Sequence, residues 1–326
     1  MWLYNEGSCI AVHVDDMAAV GTISLLQFTA DHLGKYMEMQ DFGDISKYLG
    51  MSIRSHGDGF LLDQEEYILS LVEEYRLQQA HDASTPMLTS DRDTLDRQDS
   101  TLLDDHGKRK YQSLVGSLLY LVHGTRPDIS FAIIKLSQYS SCPRVSNWNS
   151  LNRVLHYLKA TSGASLRIGF DGSNAGLVAY FDAALTDNEN RRSTCGYVFL
   201  LHGSPISLAT KVQRTVALST TEAEFMAGTE ATKEAMFIQQ VTNALFRPQL
   251  APAELRGDNQ GALALAINPV YHERTKHIDI RQRYISEMVN LNAISVKYVH
   301  TSHMLADGFT KPLSKERVMR YDDMTV

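Results

Sequence analysis

Residues 8–21, SCIAVHVDDMAAVG, place apolar side chains at Ile10, Val12 and Val14 and then meet Asp15-Asp16. That period of two predicts a strand, a tight turn and a second strand. Residues 48–63, YLGMSIRSHGDGFLLD, repeat the pattern, with Asp58-Gly59 as the expected hairpin turn. Asp63-Gln64-Glu65-Glu66 resembles a capping box. It opens a helix whose apolar face is Tyr67, Ile68, Leu71, Val72 and Tyr75. Over 83–108 periodicity stops and aspartates accumulate, which predicts a surface loop or mobile linker. Three helical patterns follow: an apolar one at 111–122, one from Pro127 to about 139 with proline in its first turn, and one with a Trp148, Leu151, Val154, Leu155, Leu158 stripe.

The pattern changes near 176. Strands are expected at 177–182, 195–201 and 204–209, joined by short turns, and then a long helix at 220–246. A strand at 253–257, helices at about 259–267 and 276–290, a strand at 294–299 and a short helix from about 304 complete the chain. Three antiparallel strands followed by alternating helices and strands predict a mixed sheet with helices on its faces, an α/β fold.

Composition narrows the class. The chain has 326 residues, 44% hydrophobic and 21% charged, as in ordinary globular proteins. No apolar run approaches the roughly 20 residues needed to cross a bilayer. The N-terminal residues meet acid at once, unlike a signal peptide. Cys9, Cys142 and Cys195 show no zinc spacing. The expectation is a cytoplasmic protein, with the nucleus as a second compartment, not secreted and without a membrane partner. The net charge of −7 means that any nucleic-acid contact must rest on local basic patches.

Candidate chemistry lies in four carboxylates of the second half. Asp182 ends the apolar run 177–181, and Asp258 follows a short strand and opens a helix. Taken singly, the first is a strand end and the second a helix cap. Ser219-Thr220-Thr221-Glu222 reads as a capping box, which gives Glu222 a structural task. Glu224 begins the stripe Gly228, Ala231, Ala235, Ile238, Val241, Leu245, so it belongs to the sheet-facing side, roughly 200° from Glu222. Glu230 and Glu234 fall off the stripe and read as solvated. Asp307 follows the last strand in YVHTSHMLADGFTKPL, beyond His300 and His303. Four acids meeting at one sheet edge repel one another unless cations neutralise them. Oxygen ligands without cysteine indicate magnesium or manganese, and two such ions suit phosphoryl displacement.

The segments VHVDDM, DFGDISKYLGMSI, STPM, LVGSLLYLVHGTRPDISFA, RVLHYLKATSG, RRSTCGYVFLLHGSPISLATK, VALSTTEAEFMAGTEATKEA, GDNQGALALAINPVYHERTKHIDI and VHTSHMLADGFTKPL follow one another along nearly the whole chain. In this order they resemble the C-terminal part of a copia-type retrotransposon polyprotein, the end of the reverse transcriptase followed by ribonuclease H. The resemblance implies a truncated reverse-transcriptase palm with its following hairpin and helix at 1–87, an acidic linker at 88–107, a helical thumb or connection region at 108–165, a ribonuclease H-like mixed five-stranded sheet at 175–315 and a tail at 316–326.

It also implies a function. The acidic site falls on Asp182, Glu224, Asp258 and Asp307, binding Mg2+ or Mn2+, with His300 preferred over His303 as the assisting histidine. The reaction implied is two-metal hydrolysis of the RNA strand of an RNA–DNA hybrid, recognised by shape and 2′-hydroxyls. Arg191, Arg192, Lys211, Arg214, Arg274 and Lys276 are candidate basic contacts, and other parts of the polyprotein are candidate partners. Asp15 and Asp16 match the paired metal-binding aspartates of the polymerase turn. His13 stands where the family usually has tyrosine, and the family's third polymerase aspartate lies upstream of such a turn. No nucleotide addition by this chain alone is therefore expected. Ala184-Leu185 replaces the Asp-Trp that often follows the first ribonuclease H acid. That departure keeps open a second reading, an inactive remnant that at most binds nucleic acid or polyprotein neighbours.

Overall fold

The computed structural model describes residues 2–4, 8–90, 101–169, 176–185, 188, 190–245, 251–267 and 276–318. The first hairpin joins β2 (Ser8–His13) to β3 (Asp16–Val20), with β1 (Trp2–Tyr4) on the outer edge of β2. His13 pairs with Asp16, so the turn residues are Val14 and Asp15. Val14 has a φ of 53°, an uncommon conformation for a β-branched side chain. Helix α1 (Ile23–Leu33), for which the sequence reading gave no signal, follows and has no buried residue.

Strands β4 (Lys47–Tyr48), β5 (Met51–His56) and β6 (Gly59–Asp63) form a second antiparallel sheet. Its turn is Gly57-Asp58, one residue earlier than expected, because Gly57 supplies the positive φ of 56°. Gly59 instead begins β6 and lets a fourth strand, β7 (Leu166–Gly169), approach. A Cβ there would lie 2.3 Å from the Ile168 carbonyl oxygen. Strand β7 was not expected from sequence.

Helix α2 (Glu65–Glu74) has no side-chain cap from Gln64. The capping expectation is met differently: Asp63 Oδ1 accepts from the Glu65 amide at 3.2 Å while Oδ2 takes Arg54 at 2.8 Å. Gln64 turns inward, and its Oε1 accepts from the Thr125 amide and hydroxyl. The apolar face of α2 packs on α3 (Asp105–Gly124), α4 (Ser130–Ser137) and α5 (Val145–Ala160) in one core that includes Ile68, Leu71, Leu114, Leu118, Ile133 and Leu158. Each fully buried leucine there contributes about 1.5–3 kcal/mol. Residues 47–87 thus share their core with the helices of 105–160. The middle of the expected acidic linker, 91–100, lies outside the described residues, as does 319–326 of the tail.

Arg126 sits at the α3–α4 junction with its side chain 1% exposed. It holds Asp128 at 2.6 Å and bonds the Thr161 carbonyl and hydroxyl, while Tyr157 donates to Asp128 at 2.8 Å. The bend around Pro127, first residue of a 3-10 turn, folds these two charges onto one another.

The second half forms the expected five-stranded mixed sheet. Strands β8 (Leu177–Ala184), β9 (Thr194–Leu201) and β10 (Ser204–Val212) are antiparallel, and β11 (Ala253–Gly257) and β12 (Ile294–Tyr298) run parallel to β8. The order is β10-β9-β8-β11-β12. This is the ribonuclease H-like sheet that the resemblance implied. Helices α6 (Thr220–Leu245), α7 (Gln260–Ile267) and α8 (Lys276–Asn290) cover one face. The other face, Val178, Tyr180 and Val198, is covered by Met304, Ala306 and Phe309. Helix α4 docks on this side: Ser130 Oγ lies 3.0 Å from Thr210 Oγ1, and Thr210 donates to the Phe309 carbonyl at 2.9 Å. A final short helix, α9 (Lys315–Val318), closes the described chain.

Candidate metal centre

Asp182 lies two residues before the end of β8, paired in register with Gly196 of β9. Gly196 has no Cβ because Phe309 would stand 2.5 Å from it. The segment carrying Asp307 can therefore press against the strand beside Asp182. The ring of Phe181, the preceding residue, packs on Gly257 of β11, where a Cβ would lie 2.7 Å from it, and on Gly228 of α6, where a Cβ would lie a tight 3.2 Å away. These close approaches bring the start of α6 and the end of β11 to the tip of β8.

As a result, ligand oxygens of Asp182, Glu224 and Asp258 lie within 4.8 Å of one another. Asp182 and Glu224 are buried, and Asp258 is half-buried. Burial raises the Asp182 carboxyl above its usual range, opposed by the Lys311 charge and the Thr310 hydroxyl and reinforced by Asp307 and Asp258. Glu224 is pushed up to about 10, first by burial and then by Asp182 and Asp258. Its Oε2 is buried and has no hydrogen-bond partner. A buried carboxyl oxygen left without a partner among other acids is costly. A hard cation removes that cost, so the donor set fits magnesium or manganese.

Asp307 is 1% exposed but stands outside the group of three. Its Oδ1 meets Lys311 Nζ at 2.7 Å, and its Oδ2 meets the Arg317 guanidinium. Thr310, fully buried, donates to Asp182 Oδ2. Thr301 donates to Asp258 Oδ2 at 2.7 Å. Sequence reasoning missed these four supporting residues. Thr301, Thr310 and Lys311 lie within VHTSHMLADGFTKPL, but nothing in their spacing announced their partners.

His300 and His303 are both exposed. His300 Nδ1 lies 2.8 Å from Ser302 Oγ and accepts from the Ser302 amide, which caps the 3-10 turn Thr301–His303. Glu222 is the third residue of α6: its amide donates to the Oγ of the cap residue Ser219, and its carboxylate accepts from the Leu218 amide. Glu234 corrects the expectation of a solvated acid: it is half-buried and accepts from Ser207 at 2.6 Å and Tyr197 at 3.4 Å. Arg191, Arg192, Lys211 and Arg214 are exposed on the early strands and their loops. Arg274 and the side chain of Lys276 lie outside the described residues. Asp15 and Asp16 are exposed at the first hairpin, and among the described residues no third carboxylate joins them.

The family described as reverse transcriptase (RNA-dependent DNA polymerase) matches residues 3–89. The chain is 36% identical over 320 residues to the retrovirus-related Pol polyprotein from transposon TNT 1-94 of Nicotiana tabacum, covering 96% of this chain and 24% of that polyprotein. It is 32% identical over 229 residues to the putative transposon Ty5-1 protein of Saccharomyces cerevisiae, covering 69% of this chain and 73% of that protein. The chain belongs to the copia-type retrotransposon Pol polyproteins. It spans about a quarter of the length of the tobacco Pol polyprotein. A foamy viral protease-reverse transcriptase, solved in complex with double-stranded DNA, shares the fold with this Pol segment at 14% identity. The TM-score is 0.51, over 90% of this chain and 46% of that one. Among the described residues no helix is long and apolar enough to cross a membrane.

Proposed function

We propose that this Pol segment hydrolyses the RNA strand of RNA–DNA hybrids at the Asp182, Glu224, Asp258 group, with Mg2+ or Mn2+ as cofactor. One observation carries the reading: three carboxylates from β8, α6 and β11 gather within 4.8 Å around a buried Glu224 oxygen that has no hydrogen-bond partner. When bound there, a divalent ion supplies the charge that activates water and stabilises the leaving oxygen. The protein's share is placement. Thr310 orients Asp182, Thr301 orients Asp258, and the Ala183 amide anchors Glu224. We assign to His300, exposed next to Thr301, the exchange of a proton with the departing product. Exposed Arg191, Arg192, Lys211 and Arg214 offer phosphate contacts, and the hybrid is recognised by shape. The polymerase-like hairpin contributes Asp15 and Asp16, and among the described residues no third carboxylate joins them.

The test is cleavage of a labelled RNA–DNA hybrid by the full chain in magnesium, with Asp182→Asn as control. Magnesium-dependent cleavage of the RNA strand that disappears in Asp182→Asn supports the function. No cleavage by a folded, metal-loaded chain favours the inactive remnant instead.

A further inference from the structure

Asp307 has a cation of the chain itself beside each carboxylate oxygen, although Oδ1 is buried and makes no hydrogen bond of good geometry. Lys311, four residues on, takes Oδ1, and Arg317 of α9 takes Oδ2 while also donating to the Thr301 carbonyl at 3.3 Å. Asp307 is 1% exposed, whereas Lys311 and Arg317 are 31% and 34% exposed. The buried acid is therefore fixed, and the two basic side chains are the parts that can move. Thr301, held by Arg317 through its carbonyl, bonds Asp258 through its hydroxyl. One arginine thus bridges Asp307 and the loop that braces Asp258. No ion pair joins Arg317 to Asp182, Glu224 or Asp258 among the described residues, whereas it meets Asp307 directly.

We infer that Arg317 and Lys311 act as built-in counter-charges that occupy Asp307, so that the chain without substrate takes one divalent ion on Asp182, Glu224 and Asp258. A second ion binds well only when Arg317 leaves. The physical reason is competition: two cations beside a buried carboxylate repel an incoming divalent ion and fill part of the space around its oxygens, so the ion binds less well while they stay. A single guanidinium nitrogen of Arg317 meets both the Asp307 oxygen and the Thr301 carbonyl, and the side chain is 34% exposed, so it can swing into solvent. This makes α9 a latch on the second half of the site. The inference rests on the metal reading proposed above.

The experiment is a Mn2+ titration of the full chain, followed by calorimetry and by the loss of the free-Mn2+ paramagnetic signal, with circular dichroism to check folding. One bound ion is expected for the native chain and two for Arg317→Ala, the second tightened by about tenfold or more. Lys311→Met, a second and independent variant, should act in the same direction. Asp307→Asn combined with Arg317→Ala should return to one ion, a reversal that general loosening of the fold would not produce. Two ions of similar affinity on the native chain, or one ion on both Arg317→Ala and Lys311→Met, would overturn the latch while leaving the metal site standing. No ion on any of these proteins would overturn the metal reading, and the latch with it.

Discussion

Thr310 donates its hydroxyl proton to Oδ2 of Asp182, a residue 128 positions earlier in the chain. The same hydroxyl lies 3.2 Å from the Asp307 carbonyl, but it has one proton, and the charged acceptor takes it. Both partners are buried, so the bond fixes the direction of the other Asp182 oxygen. Thr310→Val keeps the volume and removes the donor. It is expected to weaken Mn2+ binding by about 10–100-fold, the usual cost of losing a partner behind a metal ligand. Thr310→Ser should restore most of the affinity, as read by calorimetric titration.

Glu222 and Glu224 are two residues apart and have opposite tasks. Glu224→Gln is expected to abolish hybrid cleavage and weaken Mn2+ binding, with the fold retained. Glu222→Gln disturbs only the start of α6. It should cost less than about 1 kcal/mol and leave cleavage intact. Steady-state cleavage and urea unfolding of both variants check the pair. Equal loss of cleavage in both would contradict the assignment.

The raised Glu224 carboxyl makes the metal-free protein sensitive to pH. Its ordinary value is 4.5 and its folded value about 10. Between these limits the unfolded chain binds fewer protons than the folded one, so stability falls as pH rises. The contribution is fully present below 4.5 and is lost on the way up to about 10. In chelator, the urea midpoint should drop from pH 5 to pH 8.5, and Glu224→Gln should flatten that slope. Mn2+ binding at pH 8 should release a proton, seen as a dependence of the calorimetric enthalpy on the buffer.

Strand and helix identities in the second half were legible because β8 and β9 are apolar runs of strand length, buried on both faces, and the long helix keeps one spacing of small residues. Residues 253–257 and 276–290 match the expected bounds of β11 and α8. Glu224 was legible as a buried acid because its stripe of small residues, Gly228, Ala231 and Ala235, runs the length of a helix face. What failed to show were partners distant in sequence or brought together by irregular backbone. Strand β7 has four residues, too few for a period, and its evidence is a steric one at Gly59. Arg126 and Asp128, two apart, would point to different sides of a regular helix, and only the turn at Pro127 joins them. Asp307 reads as one acid among four, whereas in the fold its oxygens belong to Lys311 and Arg317.

The Arg126–Asp128 pair gives a test that does not involve the metal. Arg126→Met leaves Asp128 buried and uncompensated and is expected to destabilise by about 3–5 kcal/mol. Arg126→Met with Asp128→Leu should recover part of that loss. The measure is the urea midpoint at constant slope. Mn2+ affinity of the folded fraction should not change, because the pair lies outside the carboxylate group.

Strand β6 is flanked on one side by β5, a two-residue turn away, and on the other by β7. During synthesis the first of these neighbours is made at once, while the second leaves the ribosome about a hundred residues later, after helices α2 to α5, and such distant pairing is slow. Until then the outer edge of β6 is an open template for any other strand. Nascent chains arrested between 63 and 166 should therefore be captured by holdase chaperones, and extension past 169 should release them.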